Sequence, residues 1–149
     1  VPPALYLLFL LVILLVLVVV GAISRYRCRR LLRSCARKWN MHFAPGDRLR
    51  LGRRIAGRFP VTGAANISVR DLLFRTNASR HEYLFTVDYT VGIIRGKSGR
   101  SCVAGFSEPV SRGSPAASAA PPRLLIAPAE LSGPEAYESV LNQLTPQVE

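Results

Sequence analysis

A chain of 149 residues, 49% of them hydrophobic and with a formal net charge of +11, has room for one modest folded unit, and that size argues against a large, deeply buried active-site cleft. The hydrophobic fraction is near average for a whole soluble chain but is concentrated in the first block, so the mean conceals two regions of different character. Three cysteines without pairing logic fit reduced cytoplasmic thiols.

The first predicted element runs from Ala4 to Ile23, where no residue is charged and Tyr6 is the only side chain able to hydrogen-bond. Twenty residues rising ~1.5 Å each cover ~30 Å, the thickness of a bilayer's hydrocarbon core. The β-branched run Val16, Val18, Val19, Val20 would favour a strand in water, but lipid offers a lone strand's backbone no partner, so a transmembrane helix is expected. Pro2 and Pro3 are placed just outside it, and Tyr6 and Tyr26 bracket it near the depths that amphipathic rings prefer. Val20-Gly21-Ala22 resembles a signal-peptide cleavage site, but the apolar run exceeds the usual ~7–15 residues and a dense basic block follows it, so an uncleaved anchor is the preferred reading. The chain begins at Val1, and an initiator or a short upstream stretch is expected to precede it.

Between Arg25 and Arg58 twelve basic residues face one acid, Asp47, a local charge of +11 that equals the net charge of the whole chain. From Phe59 onward eight basic and eight acidic residues cancel. The basicity therefore belongs to a neck beside the span. By the positive-inside rule the C-terminal part faces the cytoplasm and the N-terminus lies outside, with the inner membrane as the expected location. Asn66-Ile67-Ser68 and Asn77-Ala78-Ser79 then count as turn and strand residues, not glycosylation sites. Residues expected to touch lipid headgroups or a partner are Tyr6, Arg25, Tyr26, Arg27, Arg29, Arg30, Arg33, Arg37, Lys38 and Trp39. A collar on anionic headgroups is the leading reading, docking on an acidic partner the second, and nucleic acid the last, since the block has little aromatic interleaving.

Arg25 to Trp39 is expected to be a short helix, continuing the span or bent away from it. Leu31, Leu32, Cys35, Ala36 and Trp39 form an apolar stripe that would lie on the membrane or pack on the domain, and Asn40 with Ala44-Pro45-Gly46-Asp47 ends it. Leu49 to Phe59 is ambiguous. Ile67 to Phe74 reads as a strand, followed by the turn cluster Thr76-Asn77-Ala78-Ser79. Glu82 to Ile94 is the clearest strand, with Tyr83, Phe85, Val87, Tyr89 and Val91 on a core face and Leu84, Thr86, Asp88 and Thr90 on a largely wet one. Arg95 to Gly99 makes a turn, and Arg100 to Val110 returns as the antiparallel partner with Cys102, Ala104 and Phe106 in register. Ser111 to Pro122 is a Ser/Pro/Ala linker, Arg123 to Ala127 one further strand and Pro134 to Leu144 an amphipathic helix. The expected class is α+β: an N-terminal transmembrane helix, a small antiparallel β-sheet domain and a short C-terminal helix. Its parts are an anchor (1–24), a basic neck (25–58), a β domain (59–110), the linker (111–122) and a C-terminal strand and helix (123–149).

Motifs that would carry chemistry fall away on spacing. Gly92-Ile93-Ile94-Arg95-Gly96-Lys97-Ser98 has three residues between its glycines where a phosphate-binding loop needs four, and a strand follows it. Cys28, Cys35 and His42 are spaced by seven, so on one helical face neighbours stand ~10.5 Å apart, too far to share a metal or for the two cysteines to form a disulfide. His81, Glu82, Asp88 and Glu108 are the acid–base candidates, without a nucleophile placed among them. No enzymatic activity and no cofactor is expected.

In segment order, from Ala4–Ile23 through the basic neck to the Tyr83–Val110 hairpin, the chain resembles the H-type subunits of bacterial photosynthetic reaction centres, which join one N-terminal span to a cytoplasmic β-rich domain. No motif is matched, so no functional residue is carried over. Tyr83-Leu84-Phe85-Thr86-Val87-Asp88-Tyr89 is similar to segments of uncharacterised bacterial single-span membrane proteins. The resemblance implies a non-catalytic accessory or scaffold subunit of a larger bacterial membrane complex, photosynthetic or respiratory, with other membrane subunits and anionic lipid as partners. The alternative is a free-standing membrane-anchored adaptor or sensor that binds lipid and a soluble partner.

Overall fold

Nothing between Ala4 and Lys38 breaks a helix except Gly21, and the helix does not bend where the charge begins. In a computed structural model, which describes residues 1–77, 80–92, 98–109 and 122–145, one helix, α1, runs Pro3–Lys38 without interruption. Pro3 is its first residue instead of lying outside it, a position where the missing N–H costs nothing. Arg37 and Lys38 occupy the last turn, where cations suit the carbonyl end of the helix dipole. The stop is a Schellman motif: Asn40 takes a left-handed φ of 56°, and the Met41 and Asn40 N–H groups donate to the carbonyls of Ala36 (2.7 Å) and Arg37 (3.3 Å).

Beyond it lie β1 (His42–Ala44), α2 (Leu51–Ile55) with a 3-10 turn over Ala56–Arg58, β2 (Ala64–Asn77), β3 (Arg80–Val91), β4 (Ser98–Pro109), β5 (Arg123–Ile126) and α3 (Pro134–Leu144). The five strands form one antiparallel sheet in chain order. The expected register is present, with Tyr83, Phe85 and Val87 opposite Phe106, Ala104 and Cys102. Ser98 and Gly99, expected in the turn, already pair with Val91 and Thr90 in β4, while residues 95–97 of that turn lie outside the described part. So do Ala78 and Ser79 of the earlier turn cluster, Ile94, and the linker up to residue 121.

Two stretches depart from the sequence reading. His42–Ala44, placed in the loop after the helix, pairs with Leu72–Phe74, and the ambiguous Leu49–Phe59 contains α2 and the 3-10 turn over Leu51 to Arg58. The short α2 holds because Asp47, the one acid among twelve bases, accepts from the N–H groups of Leu51 (2.7 Å) and Gly52 (2.9 Å), so its open end is capped. His42 thus stands on a strand against the Phe74 ring and shares no helical face with Cys28 and Cys35; both of these and Cys102 are free thiols.

Each face of the sheet has its own core. On one, Leu51 and Ile55 of α2 cover Val69, Tyr83, Phe85, Val87, Tyr89 and Phe106. On the other, Leu32 and Ala36 of α1 and Tyr137, Val140, Leu141 and Leu144 of α3 cover Leu73, Leu84 and Val103. The second face is therefore not the wet one expected: Leu84 and Thr86 are buried there, and only Asp88 and Thr90 reach partly to solvent. The apolar stripe of the neck packs on the domain through Leu32 and Ala36, with Cys28 and Trp39 partly buried beside them, while Leu31 faces out.

Arg75 ties this layer together. Its Nε donates to Glu82 (2.6 Å), one Nη to the Trp39 carbonyl (3.1 Å) and the other to the Thr145 hydroxyl (3.3 Å), so one guanidinium joins β2, β3 and the ends of α1 and α3. The first part of α1 is different in kind. Every residue from Val1 to Arg27 is exposed, and α1 is the one helix among the described residues long and apolar enough to cross a membrane.

Candidate functional site

The site begins where the exposed part of α1 ends. Ser24, Arg25, Cys28 and Arg29 recur at helical spacing on the side of α1 that faces the sheet, and across from them stand Arg70 and Asp71 of β2, Asp88 of β3 and Ser101 of β4. Together they line a cleft of about 590 Å3. A smaller cavity of about 160 Å3 adjoins it, sharing Cys28, Arg70, Asp71 and Ser101 and reaching inward to Thr86, Cys102 and Tyr137.

A bulge in β2 builds the floor. The β2–β3 register slips between Arg70 and Leu73, and Asp71 takes a left-handed φ of 51°, a conformation that aspartate tolerates better than most residues. Its N–H donates to the Pro45 carbonyl (3.2 Å) and its carbonyl accepts from the Tyr137 hydroxyl (2.9 Å). Tyr137 has one proton to give, so its 2.7 Å contact with Thr86 must run the other way, with the threonine hydroxyl donating. Burial pushes the Tyr137 phenol well above its ordinary range.

The charges are arranged in two layers. Across the sheet Arg70 Nε donates to Asp88 Oδ2 at 2.7 Å and the Ser101 hydroxyl donates to Asp88 Oδ1, so both oxygens of Asp88 are engaged. Burial pulls the Arg70 guanidinium down, but the hydrogen bond and charge of Asp88, with Asp71 nearby, outweigh it and hold the group above its usual value. Asp71 is only 4% exposed. Its two oxygens lie 3.5 Å from Arg29 Nε and from an Arg70 Nη, within ion-pair range, yet Oδ1 is buried without a hydrogen-bond donor. Burial, with Asp88 adding a smaller effect, raises the Cys102 thiol, which disfavours its thiolate.

Of the residues expected at a contact surface, Arg25 and Arg29 line this cleft. The others lie elsewhere: Tyr6, Tyr26, Arg27, Arg30, Arg37 and Lys38 are exposed, Arg33 sits over the Phe43 ring at 5.4 Å, and Trp39 is half-buried with its carbonyl bound to Arg75. The acid–base candidates do not converge. His81 and Glu82 lie within β3, not at a turn; His81 contacts the Thr76 hydroxyl at 2.9 Å, Glu82 takes Arg75, and Glu108 takes Arg54 and the Tyr83 hydroxyl (3.0 Å). Only Asp88 lies in the cleft. Among the described residues no three His, Cys, Asp or Glu side chains come together as a metal site would require, and most of the glycine-flanked Gly92–Ser98 motif lies outside them.

Arg70, Asp71, Ser101, Thr86 and Tyr137 were not signalled by the sequence. The one usable hint was Asp71 itself, an acid in a stretch that otherwise reads as strand and so a candidate for a bulge. No protein-family model matches the chain, and neither the curated proteins nor the solved structures contain a significant match to it.

Proposed function

We propose that the chain is a single-span membrane protein acting as a non-catalytic accessory or scaffold subunit of a larger bacterial membrane complex, its domain capping the cytoplasmic surface and its arginines collaring the lipid headgroups. The observation that carries this reading is the continuity of α1: the exposed apolar half passes without a hinge into the half that holds Leu32 and Ala36 in the core. A domain joined to its anchor by an unbroken helix keeps a fixed height and orientation over the bilayer, which suits a cap that must meet neighbouring subunits in register. The resemblance of its segment order to that of reaction-centre H-type subunits favours a bioenergetic complex. The second reading, a free-standing lipid-binding adaptor, draws on the polar cleft at the base of the anchor.

Two steps test the proposal. Membranes are washed with alkaline carbonate, then solubilised in mild detergent and resolved by size. Retention in the washed pellet followed by co-migration with a large assembly is the expected result. Release by carbonate would remove the anchor, and migration as a small monomer would remove the subunit role in favour of the adaptor.

A further inference from the structure

The cleft holds both signs of charge, and its depth relative to the apolar run gives it a chemical address. Ser24 to Arg29 lie ~1.5–9 Å beyond Ile23 along α1, and the headgroup layer beyond the hydrocarbon core is ~5–7 Å thick on each side. If α1 is the anchor, the cleft mouth opens at the level of the phospholipid headgroups; the inference rests on that part of the proposed function.

The side chains then select among headgroups. Arg25 and Arg29 stand on the α1 side of the mouth, exposed, as guanidinium groups suited to a phosphate. Below them Asp71 has a buried carboxylate oxygen, Oδ1, that lies 3.5 Å from Arg29 Nε yet takes no hydrogen bond, whereas Asp88 has both oxygens engaged by Arg70 and Ser101. A buried acceptor in that state calls for a donor from outside the chain. A free anion would meet repulsion from Asp71, and a free cation repulsion from the arginines. A zwitterion with phosphate outward and a hydrogen-bearing ammonium inward answers both.

We infer that the cleft between α1 and the sheet is a binding site for an ethanolamine phospholipid, with the phosphodiester on Arg25 and Arg29 and the primary ammonium donating to Asp71 Oδ1. Choline headgroups carry the same charges but no N–H, so they satisfy the arginines and leave the carboxylate oxygen bare. Glycerol headgroups offer hydroxyl donors but no cation, so the hydrogen bond they give the carboxylate lacks the added strength of a charged donor.

The full-length chain in mild detergent is titrated with dioctanoyl phosphatidylethanolamine, phosphatidylcholine and phosphatidylglycerol, and retained lipid is counted by native mass spectrometry. The ethanolamine lipid is expected to bind about tenfold more tightly than the choline lipid, the ratio expected of one charge-assisted hydrogen bond. Asp71→Asn, which keeps the shape and tolerates the left-handed backbone, should abolish that ratio by weakening ethanolamine binding alone. Arg29→Gln, at an exposed position, should weaken all three lipids together. Equal binding of ethanolamine and choline lipids, tighter binding of the glycerol lipid, or an Asp71→Asn chain that keeps the preference while melting as the wild type does would overturn the assignment. The carbonate wash separates the two failures: a chain retained in the membrane but indifferent to headgroup loses only this site, and one released by carbonate loses the anchor as well.

Discussion

Tyr137 carries more of the α3 side of the fold than its position in a short terminal helix would indicate. Its hydroxyl donates to the Asp71 carbonyl at the β2 bulge and accepts from Thr86 of β3, so one buried atom joins three elements. Tyr137→Phe keeps the ring and strands both partners, which should cost about 1–3 kcal/mol. The same residue fixes an alkaline limit. Burial raises its phenol above the ordinary 10.0, so the folded state holds that proton more tightly than the unfolded chain does. The resulting stability is complete below the unfolded value and is lost as pH rises above it. Tyr83 is shifted the same way, by burial first and then by Glu108, and adds to the loss. Chemical denaturation from pH ~8 to ~11 should therefore show wild-type stability beginning to fall at pH ~9, where the raised Cys102 thiol starts to contribute, and falling further above pH ~10, with the gap between wild type and Tyr137→Phe narrowing over that second fall. A gap that stays constant across that range would mean that the phenol is not held protonated by the fold.

Helix α3 meets the sheet at one place where no side chain fits. A Cβ built on Gly105 of β4 would stand 2.3 Å from a Val140 methyl and 2.7 Å from a Leu144 methyl, and the valine has no flexible stem on which to retreat. Gly105→Ala should push α3 off the sheet and cost about 1–3 kcal/mol, read as a lowered melting temperature with the sheet's circular dichroism retained. An alanine variant as stable as wild type would show that α3 sits further from the sheet. This contact was not legible in the sequence, although α3 itself was, with both ends at Pro134 and Leu144, because its apolar residues repeat at helical spacing and a proline opens it. The β3–β4 pair was legible for a related reason: Tyr83, Phe85 and Val87 alternate with smaller or polar neighbours, and Cys102, Ala104 and Phe106 answer them. Short elements left no such trace. His42–Ala44 is too brief for periodicity, and Leu51–Ile55 exists because Asp47 caps it and Leu51 and Ile55 find a core. The face carrying Thr86 was misread because a threonine bonded to a buried tyrosine looks, in sequence, like one bonded to water. The cleft was half legible: Arg25 and Arg29 stood in the basic block, but Asp71 and Ser101 come to them only through a bulge and a strand pairing.

At the scale of the whole chain, the basic block divides its charges between two tasks. Arg29 faces Asp71, Arg33 covers Phe43, and Arg54 binds Glu108, whose carboxylate is the main reason that its guanidinium lies above the usual value. Arg33 and Arg54 serve the fold, Arg29 stands between the two tasks at the mouth of the cleft, and the remainder are left for a surface. The division follows α1 along its length. Through Arg27 nothing is buried, whereas Leu32 and Ala36 are 1% and 2% exposed in the cluster that also holds Leu84 and Tyr137. Two truncations therefore have opposite consequences. Residues 24–149 lack only the exposed apolar run and keep every buried contact, so they should be soluble without detergent and melt within a few degrees of the full chain. Residues 39–149 lose Leu32 and Ala36 together with the backbone that carries them. A single buried leucine cut to alanine costs about 2–5 kcal/mol, and stripping a whole helix from one face exceeds the ~5–15 kcal/mol by which domains are stable, so this piece should not fold. Circular dichroism and thermal melts of the two fragments decide the matter. A folded 39–149 fragment would make α1 an appendage throughout, and a 24–149 fragment that aggregates would mean that the domain depends on a bilayer or a partner to hold its shape.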